Sequence, residues 1–372
     1  MSIQAQTIEV GKIKEGSFAN RVFYTRFFDN KTIAFSGPDS IIHFVDLSTL
    51  ELSKEVKGFQ GKPDAFEFSD DHEWLVSTSI DNEIACWDLK TSTIKYNLGE
   101  YSPGYASSKQ IRFSPGNKSF AVSQNCYFPL WDLKDGKAKD TIPSMEKECA
   151  YVIAYTAKGE RVYAGGNNNV WMYDLNSKQS GPAKNTSSIS VVLDVALSPD
   201  NKLLAVSGRE GLLLLNADLS DKFELKGHTD WINDLVFSPD GRTLYSSSGS
   251  TFGEDRSIRA WNTVNGECVK VMQGHTEDVD CIDVSPNGCF IVSASRDFTL
   301  KVWDAAIGKT LCTIVPLLIN NQVKLFYYTP SGSFYGPDEF YSLVTIKRDG
   351  KEIPSDQLKS AGAKSAVIQA LK

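Results

Sequence analysis

The sequence predicts an all-β protein assembled from a repeated unit of four short antiparallel strands. Two near-copies of one segment carry this prediction: GHTDWINDLVFSPDGRTLYSSSGSTFGEDRSIRAWN at 227–262 and GHTEDVDCIDVSPNGCFIVSASRDFTLKVWD at 274–304. Both begin with Gly-His, continue through an alternating apolar run and a Ser-Pro-x-Gly turn, and end in Trp-Asn or Trp-Asp. An internal repeat of this length determines architecture more strongly than any single residue does.

The closing dipeptide recurs along most of the chain. Its copies are Val45-Asp46, Trp87-Asp88, Trp131-Asp132, Tyr173-Asp174, Leu215-Asn216, Trp261-Asn262 and Trp303-Asp304. The second residues of successive copies are 42, 44, 42, 42, 46 and 42 positions apart. In four copies an aspartate stands six residues before the aromatic position, at Asp39, Asp81, Asp255 and Asp297. A period of about 43 residues is that of one four-stranded β-propeller blade.

Each copy contains short runs in which apolar and polar residues alternate. In the seventh copy they lie near 279–284, 290–295, 299–303 and 309–315. Such alternation, rich in Val, Ile, Phe and Cys, is typical of β-strands. The Ser-Pro-Asp-Gly sequence at 238–241 predicts a turn, because Pro fixes one backbone angle and Asp and Gly tolerate a tight bend.

These features resemble the WD-repeat β-propeller family over about residues 16–315. The resemblance is strongest in copies two, six and seven, is weakest in copies four and five, and points to no particular member. It implies antiparallel four-stranded blades that bury their faces against their neighbours. One domain over residues 1–353 is therefore expected, with its ring closed by the N- and C-terminal segments, which removes exposed strand edges.

Two leftover segments favour eight blades over seven. Residues 7–13 (TIEVGKI) belong to no complete copy, and VKLFYY, TPSG and FYSLVTIK continue the strand-and-turn pattern after the seventh. An eighth blade built from residues 323–353 and the N-terminal strand would use both segments. In the alternative, Asp349-Gly350 forms a hairpin turn that completes this blade without the N-terminal strand.

Residues 354–372 predict a short C-terminal helix. Ser355 or Asp356 is a suitable N-cap residue. The residues that would share its apolar face are Leu358, Ala361, Ile368 and Leu371. This tail is expected either to pack on the ring or to dock a partner.

Composition narrows the function classes. The chain has 372 residues, of which 41% are hydrophobic and 23% charged, as in ordinary globular domains. Its net charge of −7 disfavours nucleic acid and anionic membranes, which attract clustered Lys and Arg. The N-terminal sequence MSIQAQTIEVGKIKEG lacks a signal-peptide core, and no apolar stretch is long enough to span a membrane. Seven cysteines without a CxxC pair fit a reducing compartment, so a cytoplasmic protein is expected.

Recurring His, Ser, Asp and Trp residues have the composition of a hydrolase site, but they occur in two copies. The sets are His275, Ser295, Asp297 and Trp303 in copy seven, and His228, Ser248, Asp255 and Trp261 in copy six. Copy two keeps Ser79, Asp81 and Trp87, with Phe59 in place of the histidine. The family resemblance implies a buried hydrogen-bonded chain in which His and Ser bridge a Trp donor and an Asp acceptor. A structural role is therefore predicted.

The motifs of common enzymes do not occur. The sequence has no GxSxG, GxGxxG or GxxxxGK[ST] pattern. Two of its four histidines belong to the predicted network, and a metal site is not expected. We therefore predict no catalytic residue, cofactor or metal. A hydrolase that uses rim carboxylates without a linear motif is the alternative.

The resemblance also implies one rim, formed by the loops that precede the first strand and join the second to the third. Residues that map to it are Trp231, Asn233, Asp278, Asp280, Arg296 and Ile80, and a five-residue insertion adds Phe252 and Glu254. Binding residues often lie on loops held by a rigid scaffold, and an aromatic flanked by charges resembles an interaction hot spot. Asp278, Asp280 and Glu254 would offer an acidic patch to a basic peptide.

The predicted function is a non-catalytic scaffold or adaptor that presents protein or peptide partners on this rim. The isolated chain is expected to be a monomer or to enter a hetero-complex. A fixed structural subunit of one large assembly is a further alternative. Because this fold carries many functions, the sequence does not name the partner.

Overall fold

The structure is a computed structural model. It describes residues 8–10, 22, 24–37, 39–59, 61–81, 83–100, 110–123, 126–144, 149–251, 253–339, 346–348, 351–352 and 364–372. Within them, consecutive strands pair as antiparallel sheets that form seven blades.

The first four blades each have four strands. Their bounds are β2 (Tyr24–Phe27), β3 (Thr32–Ser36), β4 (Ile41–Asp46) and β5 (Glu51–Lys57) in blade 1; β6 (Pro63–Phe68), β7 (Trp74–Ser79), β8 (Glu83–Asp88) and β9 (Thr93–Glu100) in blade 2; β10 (Ile111–Phe113), β11 (Ser119–Val122), β12 (Phe128–Asp132) and β13 (Ala138–Ile142) in blade 3; and β14 (Val152–Tyr155), β15 (Arg161–Gly165), β16 (Asn169–Asp174) and β17 (Gln179–Asn185) in blade 4. A short N-terminal strand, β1 (Ile8–Val10), precedes them.

The remaining blades follow the same order. Their bounds are β18 (Val192–Leu197), β19 (Leu203–Gly208), β20 (Leu212–Asn216) and β21 (Asp221–Glu224) in blade 5; β22 (Ile232–Phe237), β23 (Thr243–Ser248), β24 (Ile258–Asn262) and β25 (Cys268–Met272) in blade 6; and β26 (Val279–Val284), β27 (Phe290–Ser295), β28 (Leu300–Asp304) and β29 (Thr310–Ile319) in blade 7. The C-terminal elements are β30 (Gln322–Tyr328), β31 (Phe334–Tyr335), β32 (Ile346–Arg348), β33 (Lys351–Glu352) and the helix α1 (Lys364–Ala370).

The expectation of eight blades is wrong. The first strand of each blade contacts the first strands of both neighbours, and β2 of blade 1 contacts β26 of blade 7, so seven inner strands complete the ring. The long strand β29 explains the leftover segment, because its first half pairs with β28 and its second half with β30. The strands β30 and β31 therefore extend the outer edge of blade 7.

Both predicted pairings of the terminal strands occur, but outside a blade. β1 pairs with β32 in antiparallel register, with Ile8 opposite Arg348. β32 also pairs with β33, with Arg348 opposite Lys351. Residues 349–350, where the hairpin turn was predicted, lie outside the described residues. Together they form a separate three-stranded sheet.

Most of the apolar core lies between blades, as expected when no blade can bury its own faces alone. One cluster joins Ile42 and Phe44 of blade 1 to Phe66 and Trp87 of blade 2, and all four side chains are almost fully enclosed. Equivalent clusters recur around the ring.

The junction between blades 7 and 1 carries an addition that we call the C-terminal clasp, defined as β30, β31 and α1. Val367 of α1 is fully buried in the cluster that joins these blades, and Ile368 and Leu371 also contribute. The Tyr327 hydroxyl of β30 donates a hydrogen bond to the Leu50 carbonyl of blade 1 at 3.1 Å. The helix thus packs on the ring, whereas Leu358 and Ala361 of its predicted face lie outside the described residues.

Cys126 and Cys149 form a disulfide between the segment that precedes β12 and the segment that precedes β14. They are 23 residues apart, so no closely spaced cysteine motif in the sequence predicts the pair. Among the described residues, no helix has the length and apolar character needed to cross a bilayer.

Candidate partner-binding rim and central channel

The recurring polar residues form hydrogen-bonded networks in two blades. In blade 7, His275 Nδ1 lies 2.8 Å from Asp297 Oδ2, and His275 Nε2 lies 2.7 Å from Ser293 Oγ. Trp303 Nε1 donates to the same Ser293 Oγ at 2.8 Å. The three side chains and the serine thus connect the loop at the rim to the buried third strand.

Blade 6 repeats this arrangement. His228 Nδ1 is 2.8 Å from Asp255 Oδ2, and its Nε2 is 2.8 Å from Ser246 Oγ. Trp261 Nε1 donates to Ser246 Oγ at 2.8 Å.

The connecting serines are not those predicted. Ser246, Ser293 and Ser77 occupy this position, rather than Ser248, Ser295 and Ser79. Ser248 and Ser295 lie at the ends of their strands, opposite the first residues of the inner strands. Each instead donates to a rim carbonyl, that of Trp231 at 2.9 Å and that of Glu277 at 3.1 Å. The deeper serine stands ten residues before the tryptophan in copies two and seven, and this spacing was the missed signal.

Burial and charge keep the network fixed. Burial lowers the pKa of His275, and Asp297 only partly opposes this shift. Burial tends to raise the pKa of Asp297, but His275 and Thr299 hold it well below its usual range. The His275 side chain is fully enclosed and Ser293 is fully buried, so a substrate does not reach them. The arrangement ties a loop to a strand.

Blades 2 and 1 have different contacts at the positions of this network. In blade 2, Phe59 packs against Trp87 with ring centroids 4.4 Å apart, and Trp87 Nε1 donates to Ser77 at 3.2 Å. In blade 1, His43 belongs to β4 itself and places Nε2 3.0 Å from Asp39. Asp39 therefore pairs with a histidine on the third strand, whereas Asp255 and Asp297 pair with histidines that precede the first strand.

Most of the predicted rim residues belong to blades 6 and 7. Trp231 is half-buried, and Arg209 from the neighbouring blade lies over its ring, with Cζ 4.3 Å from the centroid. Arg209 itself is exposed. A guanidinium above an indole face is a favourable cation–π contact. The pair forms an amphipathic surface at the mouth of the ring.

Beside this pair, Arg296 joins two predicted carboxylates. Its Nη1 lies 2.9 Å from Asp278 Oδ2, and its Nε lies 3.0 Å from Asp280 Oδ1. Burial raises the pKa of Asp278, and Arg296 partly opposes the shift. Both aspartates are thus paired within the chain, and Glu277 Oε2 lies 3.5 Å from Arg256 Nη2. The acidic patch expected here is reduced to the exposed Glu254 and the ion-paired Glu277.

Three predicted rim residues stand apart from this cluster. Asn233 turns inward and donates to the carbonyls of Gly249 and Val279, so it links blades 6 and 7. Ile80 is 45% exposed but belongs to blade 2. Phe252 lies outside the described residues.

The central channel contains polar residues that the sequence analysis missed. In three blades, the side chain four positions before the turn serine accepts a backbone N–H from the next blade. The pairs are Gln110 with Ile153, Asp194 with Leu235, and Asp234 with Ile282, each at 2.9 Å. The sequence signal for these contacts is a polar residue at one fixed position of an inner strand that is otherwise mostly apolar.

Two positions before the equivalent turn residue, which is Phe28 in blade 1, four blades carry a charge that faces the channel: Arg26, Glu67, Arg112 and Asp283. Arg26 Nε lies 3.6 Å from Glu67 Oε2, and Arg112 Nη1 lies 3.9 Å from the same oxygen. Asp283 Oδ2 accepts the Phe27 backbone N–H at 2.7 Å, which links blades 7 and 1.

Comparison with known proteins agrees with this architecture. The chain matches the family model described as WD domain, G-beta repeat, at residues 53–88, 220–262 and 266–304. These are copies two, six and seven, where the sequence resemblance is strongest.

Individual relatives are similar over part of their length. The nuclear distribution protein PAC1 of Arthroderma otae is 24% identical over 77% of this chain and 68% of its own length. Protein groucho of Drosophila melanogaster is 30% identical over 52% of this chain and 26% of its own length. The COMPASS component SWD3 of Saccharomyces cerevisiae is 28% identical over 39% of this chain and 45% of its own length. This chain spans about a quarter of the length of groucho and less than half of the length of SWD3.

Proposed function

We propose that this chain, a seven-bladed WD-repeat β-propeller, is a non-catalytic scaffold that binds a protein partner on the rim over blades 5 to 7. The observation that carries the proposal is the Arg209–Trp231 pair beside the Arg296 cluster. It joins exposed charge to a partly accessible aromatic ring on loops held by a rigid ring, the usual composition of an interaction hot spot.

The chemistry of the rim favours a peptide that carries both basic and apolar side chains. Arg296 neutralises Asp278 and Asp280, so these aspartates orient the loops more than they attract a ligand. Glu254 is exposed, and Glu277 is 53% exposed although it pairs with Arg256 at 3.5 Å. These two carboxylates are the groups that a basic side chain would reach, while Trp231 would supply the apolar contact.

The relatives give a second line of support. Their names describe a transcriptional corepressor, in the case of the LEUNIG_HOMOLOG protein of Arabidopsis thaliana, and a component of a named complex, in the case of SWD3. These names favour interaction roles over catalysis for the shared repeat region. The geometry favours the same choice, since two of the rim carboxylates that a hydrolase could use, Asp278 and Asp280, are ion-paired with Arg296.

The direct test is affinity purification of the full chain from its native cell with quantitative mass spectrometry. Trp231→Ala and Glu277→Lys should each deplete the same set of partners relative to wild type. Ile307→Ala is the matched control, because Ile307 is 58% exposed in a turn at the opposite end of the strands. Partner sets unchanged by both rim variants would refute this rim, and native mass measurement would reveal a fixed large assembly instead.

A further inference from the structure

The central channel holds a cavity that the rim proposal does not use. It has a volume of about 310 Å³ and lies among the inner strands of blades 1, 2, 3, 6 and 7. Ser69, Asp70 and His72, from the turn after β6, also line it. Because inner strands run from the rim to these turns, the cavity belongs to the face opposite Trp231. Its volume is at the lower end for small-molecule sites.

The cavity exists because the wall of the channel is uneven. At the position two residues before the turn, blades 4, 5 and 6 carry the small residues Ala154, Ala196 and Val236. The other four blades carry the long or charged side chains described above. Space is therefore left in front of a charged wall.

Carboxylates outnumber guanidinium groups in this wall. Arg26 and Arg112 face Glu67, Asp234 and Asp283, a ratio of two cations to three carboxyl groups. The pKa of the fourth carboxyl group, that of Asp194, is raised to about 8, so it carries a proton at neutral pH. Arg26 is already engaged by Asp234 at 3.5 Å and by the Ile282 carbonyl at 3.0 Å. Buried carboxylates without sufficient counter-charge are costly, so the wall favours an additional cation.

Two of these carboxyl groups reach the cavity. Glu67 retains 24% side-chain exposure and lies more than 3.5 Å from either guanidinium group. Asp283 is half-buried and uses Oδ2 for the Phe27 N–H. Phe27, Phe68 and Val236 line the same space and are its apolar residues beside Leu235 and Ile282. The combination suits a slender apolar stem that ends in a positive charge.

We propose that this cavity binds a primary alkylammonium group, with its ammonium between Glu67 and Asp283 and its aliphatic stem against Phe27, Phe68 and Val236. Such a group is carried both by a lysine side chain of a partner protein and by a free diamine. An ammonium group fits better than a guanidinium group, because it is more compact and the guanidinium groups of Arg26 and Arg112 already lie beside Glu67.

The raised pKa of Asp283 agrees with a shortage of positive charge in the channel wall. Burial raises the pKa of Asp283 to about 6, and Arg26 opposes the shift while Glu67 adds to it. A proton on Asp283 thus supplies positive charge that the chain does not provide. An ammonium ion in the cavity would replace that proton, so its affinity should fall as the pH drops below about 6.

Calorimetric titration with Nα-acetyl-lysine methylamide and with 1,5-diaminopentane tests the proposal. Both probes should bind, whereas the uncharged norleucine analogue should not. Glu67→Gln should weaken binding at least about tenfold, since one charge contact of about 1.4 kcal/mol corresponds to that factor. Asp200→Asn, at an exposed turn of blade 5 that does not line the cavity, is the matched control and should leave the affinity unchanged.

Val236→Phe separates loss of the site from loss of the fold. It fills the cavity without altering a charge, and it should abolish binding while thermal melting remains cooperative. Binding that survives in Val236→Phe, or equal binding of the norleucine analogue, would overturn the proposal. If the diamine binds and the blocked lysine does not, the ligand is a free amine; if both bind, a lysine side chain fits as well.

Discussion

Asp194 on the inner strand of blade 5 accepts a hydrogen bond from the backbone N–H of Leu235 on the inner strand of blade 6, at 2.9 Å. Asp234 makes the same contact to Ile282 one blade further on. Each side chain satisfies a backbone donor that the neighbouring sheet leaves unpaired at its bulge. The blades are therefore joined by polar contacts around the channel as well as by apolar packing.

This contact gives the protein a specific pH dependence. Burial, together with the nearby Asp234, raises the pKa of Asp194 to about 8, against the opposing effect of Arg112. Because the unfolded pKa is near 3.9, the folded state holds its proton more tightly, and the free energy of unfolding should fall as pH rises from about 5 to about 8 and level off above that. Thermal melts across this range should show a decreasing melting temperature.

Asp194→Asn should flatten that dependence. Its amide oxygen still accepts the Leu235 N–H, but it has no proton to lose. Asp240→Asn is a suitable control, because Asp240 is an exposed turn residue whose pKa is lowered by its bond to Ser238. Parallel curves for wild type and Asp194→Asn would show that Asp194 does not titrate in this window.

Ser293→Ala should destabilise the fold by about 1–3 kcal/mol, because it orphans the buried Trp303 N–H and the second nitrogen of His275. Asp297→Ala should cost a similar amount. Urea denaturation measures both. Ser180→Ala, at an exposed position, is the control and should change stability by less than about 0.5 kcal/mol. A Ser293 variant as stable as wild type would remove the structural role assigned to this network.

The same spacing predicts a stabilising substitution. In blade 3 the network serine is replaced by Ala121, and Trp131 Nε1 has no hydrogen-bond partner among the described residues. Ala121→Ser should supply an acceptor and add about 0.5–1.5 kcal/mol. Ala205→Ser is the matched control, since Leu215 offers no N–H and a buried unpaired hydroxyl should cost about 1–3 kcal/mol. Equal effects of the two substitutions would contradict the pairing rule.

Removing one hydroxyl oxygen, that of Tyr327, should weaken the contact of the C-terminal clasp with blade 1. Tyr327→Phe removes the hydroxyl that donates to the Leu50 carbonyl, and it should lower the free energy of unfolding by about 0.5–1.5 kcal/mol. Chemical denaturation provides the measurement. Tyr127→Phe, at a side chain that is 40% exposed in blade 3, should have little effect. A loss confined to Tyr327→Phe would identify the link between blades 7 and 1 as the cause.

The repeat spacing predicted the blades well because each copy carries its own turn and strand signals. The closing dipeptides fall at the ends of β4, β8, β12, β16, β20, β24 and β28. The blade count failed, since strand patterns do not distinguish a new blade from strands added at an outer edge. That difference depends on the ten residues of β29, which pair on both sides.

The candidate site was predicted less completely. Spacing located His275, Asp297 and Trp303, but the choice between Ser293 and Ser295 depends on strand register, which one sequence does not give. Asp278 and Asp280 were expected to be free because sequence does not report ion pairs between loops. The channel charges were missed because a single charged residue per strand fits ordinary alternation.

The clasp also constrains when the ring can form during synthesis. Tyr327 meets Leu50 across 277 residues, and α1 packs against the same junction from still later in the chain. A nascent chain that has emerged only as far as blade 6 is an open arc with unpaired inner faces. Closure is therefore a late event that must wait for the last blade, and contacts so distant in sequence are expected to make it slow. During that interval the exposed faces of blades 1 and 6 are the surfaces that a chaperone would need to shield.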